Sequence, residues 1–519
     1  MTMQTRRTPR PGRLHRGAIA LVVARAAAPW STVGSWPGAP VHRAAVPADR
    51  PTTARRRTAL DLGVLAALGI AIVALALRMA RWPALPAHPE SFGVVLLGQL
   101  ALYGLAAGWV LARQPASRGA LALVFLVALA ARLAFVAQAP TASDDIYRYV
   151  WDGRIQASGI NPYRYAPDDP ALAGYRDEAI YPGINRKPVP TIYPPVAQAV
   201  FRGIYRLHPD SVAWTKLALI GVDLLAIGVI AGLLPRLGLR PERALLYAWH
   251  PLLILELGHS GHVDVVAVLF LLLAVRARVV GQPVQAGALL ACATLVKFYA
   301  VAALPALLGS DRRRAWWRDL GLLFAFIATG ILAYLPFLSV GTKVFGYLPG
   351  YVQEEGIASG GRFYLLHQLG RLAASPGAAR PRWLAGWPLG ALSPAGWYQL
   401  FLVAALGTLA VWCWLRARSS PRDIATRAAL LFVALFTLAT PSQPWYTLLV
   451  LAFVPLVGRG MLPPTSLVVG TAGFGYLHWW LPTWPAWPLA VSYGGRAAAL
   501  ALIAGCAVLP PLARRARRN

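Results

Sequence analysis

Apolar runs, most of them long enough to cross a membrane and several (244–257, 426–440 and 446–458) short for a full span, recur along this chain, and they restrict its fold class more than any other feature. They lie near residues 58–79, 92–112, 119–138, 212–234, 244–257, 264–280, 284–308, 318–340, 396–416, 426–440, 446–458, 462–481 and 487–510. A helix needs about 20 apolar residues to cross the hydrocarbon core. The runs are continuous rather than alternating, which excludes a β-barrel pattern. Charged residues make up 13% of the 519 residues, against roughly 25% in a soluble domain. The mean hydropathy is +0.52. The predicted fold is all-α: a polytopic transmembrane bundle of about 12–14 membrane segments, some short or re-entrant, with two long extracytoplasmic loops.

A net charge of +30 would suggest nucleic acid in a soluble protein. Here the arginines sit where a membrane protein places them. Eleven precede residue 58, and others fall in short loops: Arg113 and Arg118, Arg236 to Arg243, Arg276 and Arg278, Arg312 to Arg318, Arg416 to Arg427, and Arg514 to Arg518. Basic loops stay cytoplasmic. Loops 258–263, 441–445 and 482–486 carry no Lys or Arg and are expected outside. No nucleic-acid partner is expected. Cys292, Cys413 and Cys506 all fall in apolar runs without metal spacing, which suits packing.

The organisation that follows is an Arg-rich disordered cytoplasmic tail over 1–57, a transmembrane domain over 58–513 and a basic cytoplasmic tail over 514–519. Within the domain, 139–211 is a catalytic outer loop and 341–395 a second outer loop. Run 284–308 has cytoplasmic arginines on both flanks, so it is expected as two half-spans or a re-entrant hairpin with Lys297 near its turn. Broken helices at membrane depth are tolerated where they line a cavity.

The densest chemistry lies in Ser143 to Tyr165, SDDIYRYVWDGRIQASGINPYRY, directly after the third run. Loop 139–211 holds eight of the twenty acidic residues. Adjacent Asp144 and Asp145 repel each other, and one could serve as a general base whose pKa the other raises. They could instead cap an interfacial helix. Arg148 and Asp152 are spaced for an i,i+4 pair. Trp151 and Tyr163 could stack on a sugar ring or anchor the loop at the interface.

A second cluster is GHSGHVD, Gly258 to Asp264, with Glu256 just before it. His259, His262 and Asp264 are candidates for a polar lining that hydrogen-bonds a sugar or phosphate; a capped hairpin turn is the structural alternative. The spacing makes only a weak metal signal, and no metal cofactor is expected. Only four lysines occur, at 187, 216, 297 and 343. Lys297 lies inside an apolar run, where it would pair with a lipid-linked phosphate or structurally with Asp223 or Asp264. Arg362 could clamp a phosphate.

Together, DDIYRYVWDGRIQASGINPY, YPP, GHSGHVD, the Lys-Phe-Tyr run and PSQPWY resemble bacterial membrane glycosyltransferases of the C-type superfamily (GT-C). The closest likeness is to the polyprenyl-phosphate-mannose-dependent α-1,6-mannosyltransferases, over about 58–510. The resemblance implies inverting transfer of a hexose, mannose above all, from a polyprenyl-phosphate donor to a cell-envelope glycan or glycolipid at the outer leaflet. It implies Asp145 as base with Asp144 beside it, and Lys297 and Arg362 on the donor phosphate; from the residues themselves, Arg148, Tyr149, Trp151, Tyr163, His259, His262 and Asp264 are expected around the substrates. It also implies a multi-pass protein of the bacterial plasma membrane, with both termini cytoplasmic and the site extracytoplasmic. Three runs precede the acidic loop here, whereas many C-type enzymes place that loop after their first span. The competing class is a transporter or flippase for lipid-linked sugars, using Asp223, Glu256, Asp264 and Lys297 as a path.

Overall fold

The structure is a computed structural model that describes residues 51–309, 316–357, 359–361, 363–364, 394–416, 420–441, 443–483 and 486–516. Its regular structure is helical, with no strand among the described residues. Helix α1 (Pro51–Met79) is followed by α2 (Pro89–Arg113) and α3 (Arg118–Leu133). The outer segment contributes α4 (Asp145–Ala157) and α5 (Pro195–Leu207). Then come α6 (Val212–Leu233), α7 (Asp264–Val279), α8 (Pro283–Thr294) and α9 (Trp316–Tyr334). The last group is α10 (Pro394–Leu415), α11 (Pro421–Leu438), α12 (Leu462–Gly470), α13 (Phe474–Trp480) and α14 (Trp487–Ala516). The expected disordered tail is corrected at its end, because Pro51 to Arg57 already belong to α1. Proline at the first turn followed by Ala and Arg favours a helix there.

Local chemistry accounts for the helix starts. Ser117, Ser211 and Ser420 each accept a backbone N–H of the first turn, from Ala120, Trp214 and Asp423, which satisfies a donor that the helix leaves open. Five stretches are long and apolar enough to cross a membrane: Arg55–Met79, Pro89–Arg113, Val212–Leu237, Trp317–Glu354 and Ala395–Leu415. Phe324, Ile331 and Val403 stand well exposed on two of them, as lipid-facing positions do. Helix α7 is the opposite case. It is buried along most of its length and packs on α6 and α8.

Three irregular features shape the outer end. The run at 284–308 is broken as expected: α8 stops at Thr294, Lys297 is extended (φ −143°, ψ 113°), and a 3-10 turn continues over Phe298–Ala303. Residues Leu255–Ser260 form a π-helical turn, a geometry that concentrates at functional sites. After α9 the chain runs through a 3-10 stretch, Leu335–Phe345, into a short helix, Leu348–Glu354. Gly346, at φ +54°, lies so close to the Thr191 carbonyl that a Cβ would collide with it. Tyr347 N–H donates to the same carbonyl at 3.2 Å. Only glycine allows this approach and this φ together, and the contact seats the later segment on the outer segment.

The outer segment also has a small core of its own. Val150, Trp151, Ile155, Leu172, Ile180 and Ile184 pack together beneath α4. Arg154 anchors the surround, with ion pairs to Asp177 and Asp210 at 2.5 and 2.6 Å. These contacts fix α4 against the rest of the outer segment.

Candidate active site

A cavity of about 510 Å³ opens between the start of α4, the break at Lys297, the helix Leu348–Glu354 and the Gln443–Tyr446 turn. Its size suits a small-molecule ligand. Asp144 and Asp145 form one wall. Asp144 occupies the N-cap position of α4, yet its side chain makes no capping bond. Both carboxylates instead accept from one amide, Asn185 Nδ2, at 2.7 Å (Asp144 Oδ1) and 2.8 Å (Asp145 Oδ1). Asp144 faces the opening, but the surrounding protein still raises its carboxyl above the ordinary range. The Asn185 bond opposes this shift and the Asp145 charge adds to it.

Cations stand around the same space. Lys297 Nζ lies 3.3 Å from Asp264 Oδ1 and 4.2 Å from the centre of the Tyr446 ring. Arg148 donates to Asp152 at 3.0 Å and to the Val189 carbonyl at 3.2 Å. Asp152 also accepts from Thr191 and Gln198 at 2.5 and 2.8 Å. The i,i+4 pair that the spacing suggested is therefore a buried, fully bonded pair rather than a weak surface one. Arg186 lines the cavity too, in a left-handed conformation (φ 44°), and donates to Glu354 Oε2 at 2.8 Å. A non-glycine residue held there is strained.

Behind Asp145 the side chains are buried. His262 is fully buried and stacks on Trp445, with ring centres 4.1 Å apart and planes 18° apart. Its Nδ1 is 3.9 Å from Asp145 Oδ2, and its Nε2 is 3.3 Å from Glu256 Oε2. Tyr476 O–H donates to Glu256 at 2.8 Å. His262 lies in loop 258–263, outside the apolar runs. Burial lowers the His262 pKa to about 3, with Asp145 opposing and Lys297 adding.

The structure separates the remaining candidates. Asp144, Asp145, Arg148 and Lys297 line the cavity; His262 and Asp264 touch that set from behind. Tyr149 is buried against Phe201, stacked at 4.6 Å. Trp151 is a correction. It is buried in the small core of the outer segment, beside Tyr181 and the Arg154 guanidinium, so stacking on a sugar in the cavity is closed to it. Tyr163 is also buried and spends its hydroxyl on the Tyr193 carbonyl at 2.8 Å. His259 has a structural task. Its Nε2 accepts from the Thr141 and Ala142 backbone at 3.0 and 3.1 Å, while Nδ1 meets Gln138 Oε1 at 2.9 Å. It thus ties down the stretch of chain leading into Asp144. Arg362 lies outside the described residues.

Sequence reasoning missed Asn185, Arg186 and Tyr193 as site residues, all of which line the cavity. Asn185 and Arg186 follow Asp144 by some 40 positions, with no spacing signal to connect them. Trp445 and Tyr446 were visible only as part of an outward turn.

Residues 57–310 match the family model described as alpha-(1->6)-mannopyranosyltransferase, N-terminal domain. Residues 191–441 match the model of glycosyltransferase family 87. No curated protein and no solved structure matches the chain. The first matched stretch carries Asp144, Asp145, His262 and Lys297; the second also spans Lys297 and Tyr299, and adds the helix Leu348–Glu354. With an all-helical, membrane-type fold around that cavity, the two matches support a GT-C-type, mannosyltransferase-like glycosyltransferase.

Proposed function

We propose that this glycosyltransferase moves a hexose, mannose, from a polyprenyl phosphate to a cell-envelope glycan or glycolipid at the outer leaflet, inverting the anomeric carbon. The observation that carries the reading is one cavity lined by both a carboxylate pair, Asp144 and Asp145, and the cation Lys297. Asp145 accepts the proton of the acceptor hydroxyl. The hydroxyl oxygen attacks the anomeric carbon, the bond from that carbon to the phosphate oxygen breaks, and its electron pair leaves with the phosphate. Lys297 and Arg186 stabilise the charge that develops there; Arg362 is the further phosphate contact that the resemblance implies. Tyr193, Tyr299 and Trp479 in the lining offer faces for the sugar. Mannose as the sugar rests on the matched mannopyranosyltransferase domain.

The site side is assigned from charge. Among the short loops, 441–445 carries no Lys or Arg and lines the cavity through Gln443 and Trp445, while the short Arg-rich loops contribute no lining residue; short basic loops remain cytoplasmic. A polyprenyl donor keeps its tail in lipid and presents its sugar at this surface. The protein lies in the plasma membrane with cytoplasmic termini.

The direct test is transfer by purified protein in lipid, with polyprenyl-phosphate mannose and a panel of glycan acceptors. Glycosylated product supports the reading. Neither transfer nor donor hydrolysis with any polyprenyl-phosphate sugar, by folded protein, overturns it. In that assay Lys297→Ala is expected to raise the donor KM by about 10- to 100-fold, the worth of a charge-assisted hydrogen bond, and to change the acceptor KM much less. An unchanged donor KM would assign Lys297 to the Asp264 pair alone. Transfer is expected to persist in EDTA, because Lys and Arg supply the phosphate counter-charge; loss in EDTA with rescue by a divalent ion would contradict this.

A further inference from the structure

Glu256 is a fully buried acid that the proposed reaction does not use. It sits in the π-helical turn Leu255–Ser260, which aims it at His262. The next residues fix the imidazole. Gly261 takes φ +69°, and a Cβ there would strike Ile146 of α4. His262 N–H returns to the Glu256 carbonyl at 2.9 Å. Trp445 sets the ring plane from the other side. The result is a linear order: Tyr476 hydroxyl, Glu256, His262, Asp145.

Neither ring nitrogen of His262 has a closed hydrogen bond in this structure. A carboxylate oxygen stands opposite each of them, Glu256 Oε2 at 3.3 Å from Nε2 and Asp145 Oδ2 at 3.9 Å from Nδ1. A neutral imidazole carries one N–H and one lone pair. It can therefore satisfy both neighbours only if one carboxyl is itself a donor. The charges facing the pair decide which. Asp145 and Tyr149 come from α4, Asp264 from α7, Lys297 from the break after α8, Tyr476 from α13 and His259 from the same turn. Lys297 is already paired with Asp264. No cation remains beside Glu256 among these groups, and an ionised carboxylate sealed there would be uncompensated. Asp145 is partly exposed in the cavity, where a charged carboxylate can be solvated.

We infer that Glu256 and His262 are positioning residues for Asp145: Glu256, as a neutral acid, donates from Oε2 to His262 Nε2, and His262 Nδ1–H points at Asp145 Oδ2. Glu256 Oε1 accepts from Tyr476 in the same arrangement. The 3.9 Å gap closes when substrate fills the cavity, since catalytic hydrogen bonds commonly tighten in the loaded site. The chain holds Asp145 in one rotamer with its charge facing the acceptor hydroxyl. This inference rests on Asp145 being the general base.

Two measurements on the full chain in lipid test it. The first is independent of any substrate. Infrared spectra at neutral pH are expected to show a protonated-carboxyl C=O band that disappears in Glu256→Gln. A band unchanged by that substitution shows Glu256 ionised and overturns the arrangement. The second compares His262→Asn with His262→Gln. Only the Asn amide nitrogen can occupy the Nδ1 position; the Gln amide reaches the Nε2 position. His262→Gln is expected to lower kcat by about 100-fold, the lower end for acid–base positioning, with donor KM nearly unchanged. His262→Asn is expected to recover about tenfold of that loss. Equal kcat in two folded variants overturns the positioning role. If wild type transfers no sugar, the proposed function fails, while the infrared result still decides the Glu256 proton. Should either His262 variant not fold, the Glu256→Gln spectrum remains decisive.

Discussion

Asp145→Asn is expected to lower sugar transfer by about 10³- to 10⁴-fold, the upper range for loss of a positioned general base. The substitution is nearly isosteric. Its carbonyl oxygen can still accept from Asn185 Nδ2, as Asp145 Oδ1 does at 2.8 Å. The start of α4 and the cavity wall should therefore keep their shape. What disappears is basicity, so kcat falls while donor affinity holds. Asp144→Asn is the informative companion. Asp144 shares the same amide and lies at the opening, and its charge acts on its neighbour rather than on the acceptor. It is expected to cost about tenfold, through loss of a nearby negative charge that favours proton uptake by the pair. The check is kcat and KM for both variants, with donor binding measured separately. Turnover of Asp145→Asn within about tenfold of wild type would remove Asp145 as the base; the larger loss falling on Asp144→Asn would exchange the two roles.

The largest stability effect is expected at Arg132, which does not line the cavity. Arg132 Nε lies 2.8 Å from Asp223 Oδ2, and neither side chain has any exposure. Arg132 also donates to the carbonyls of Ala128 and Ala248 at 2.8 and 3.0 Å. Tyr247 O–H donates to Asp223 at 2.7 Å. This network joins α3 to α6 and to the short helix Leu245–Ala248. Arg132→Met strands a buried carboxylate and is expected to cost about 3–5 kcal/mol. Arg132→Met combined with Asp223→Leu should recover most of that loss, because an apolar pair needs no desolvation. Thermal or denaturant unfolding in a fixed detergent reads both. A single-variant loss below about 1 kcal/mol, the value of a surface pair, would show that water reaches the site. The packing also bears on chemistry, since the chain after α3 leads through Phe135 and Gln138, whose carbonyls Lys216 holds at 3.3 and 2.6 Å, into Asp144.

The buried cations show where reading the chain stops. Lys297 could be assigned to an interrupted helix because arginines flank run 284–308 on both sides. Its partner could not: Asp223 and Asp264 were equal choices, and packing gives Asp264 to Lys297 and Asp223 to Arg132. The aromatic side chains behave likewise. Trp151 and Tyr163 sit in the motif that carries the resemblance, yet α4 turns Trp151 into the small outer core and Tyr163 lies toward Tyr193. Helical periodicity puts neighbours in one motif on different faces, so membership of a motif does not place a side chain in a site. Asn185, which holds both acids, carried no signal at all, because a hydrogen bond across some 40 residues leaves no local pattern.

Amino-acid order alone determined the all-helical membrane class, the acidic aromatic segment after the third apolar run, the paired aspartates and the break at Lys297. These follow from transfer free energy, charge repulsion and helix propensity, which act on near neighbours along the chain. Tertiary structure decided which cation meets which acid, which aromatic rings face the cavity, and that Glu256 and His262 stand behind Asp145. Those outcomes depend on packing and desolvation between segments far apart in the chain, and a buried charge takes whichever partner the fold brings within about 4 Å.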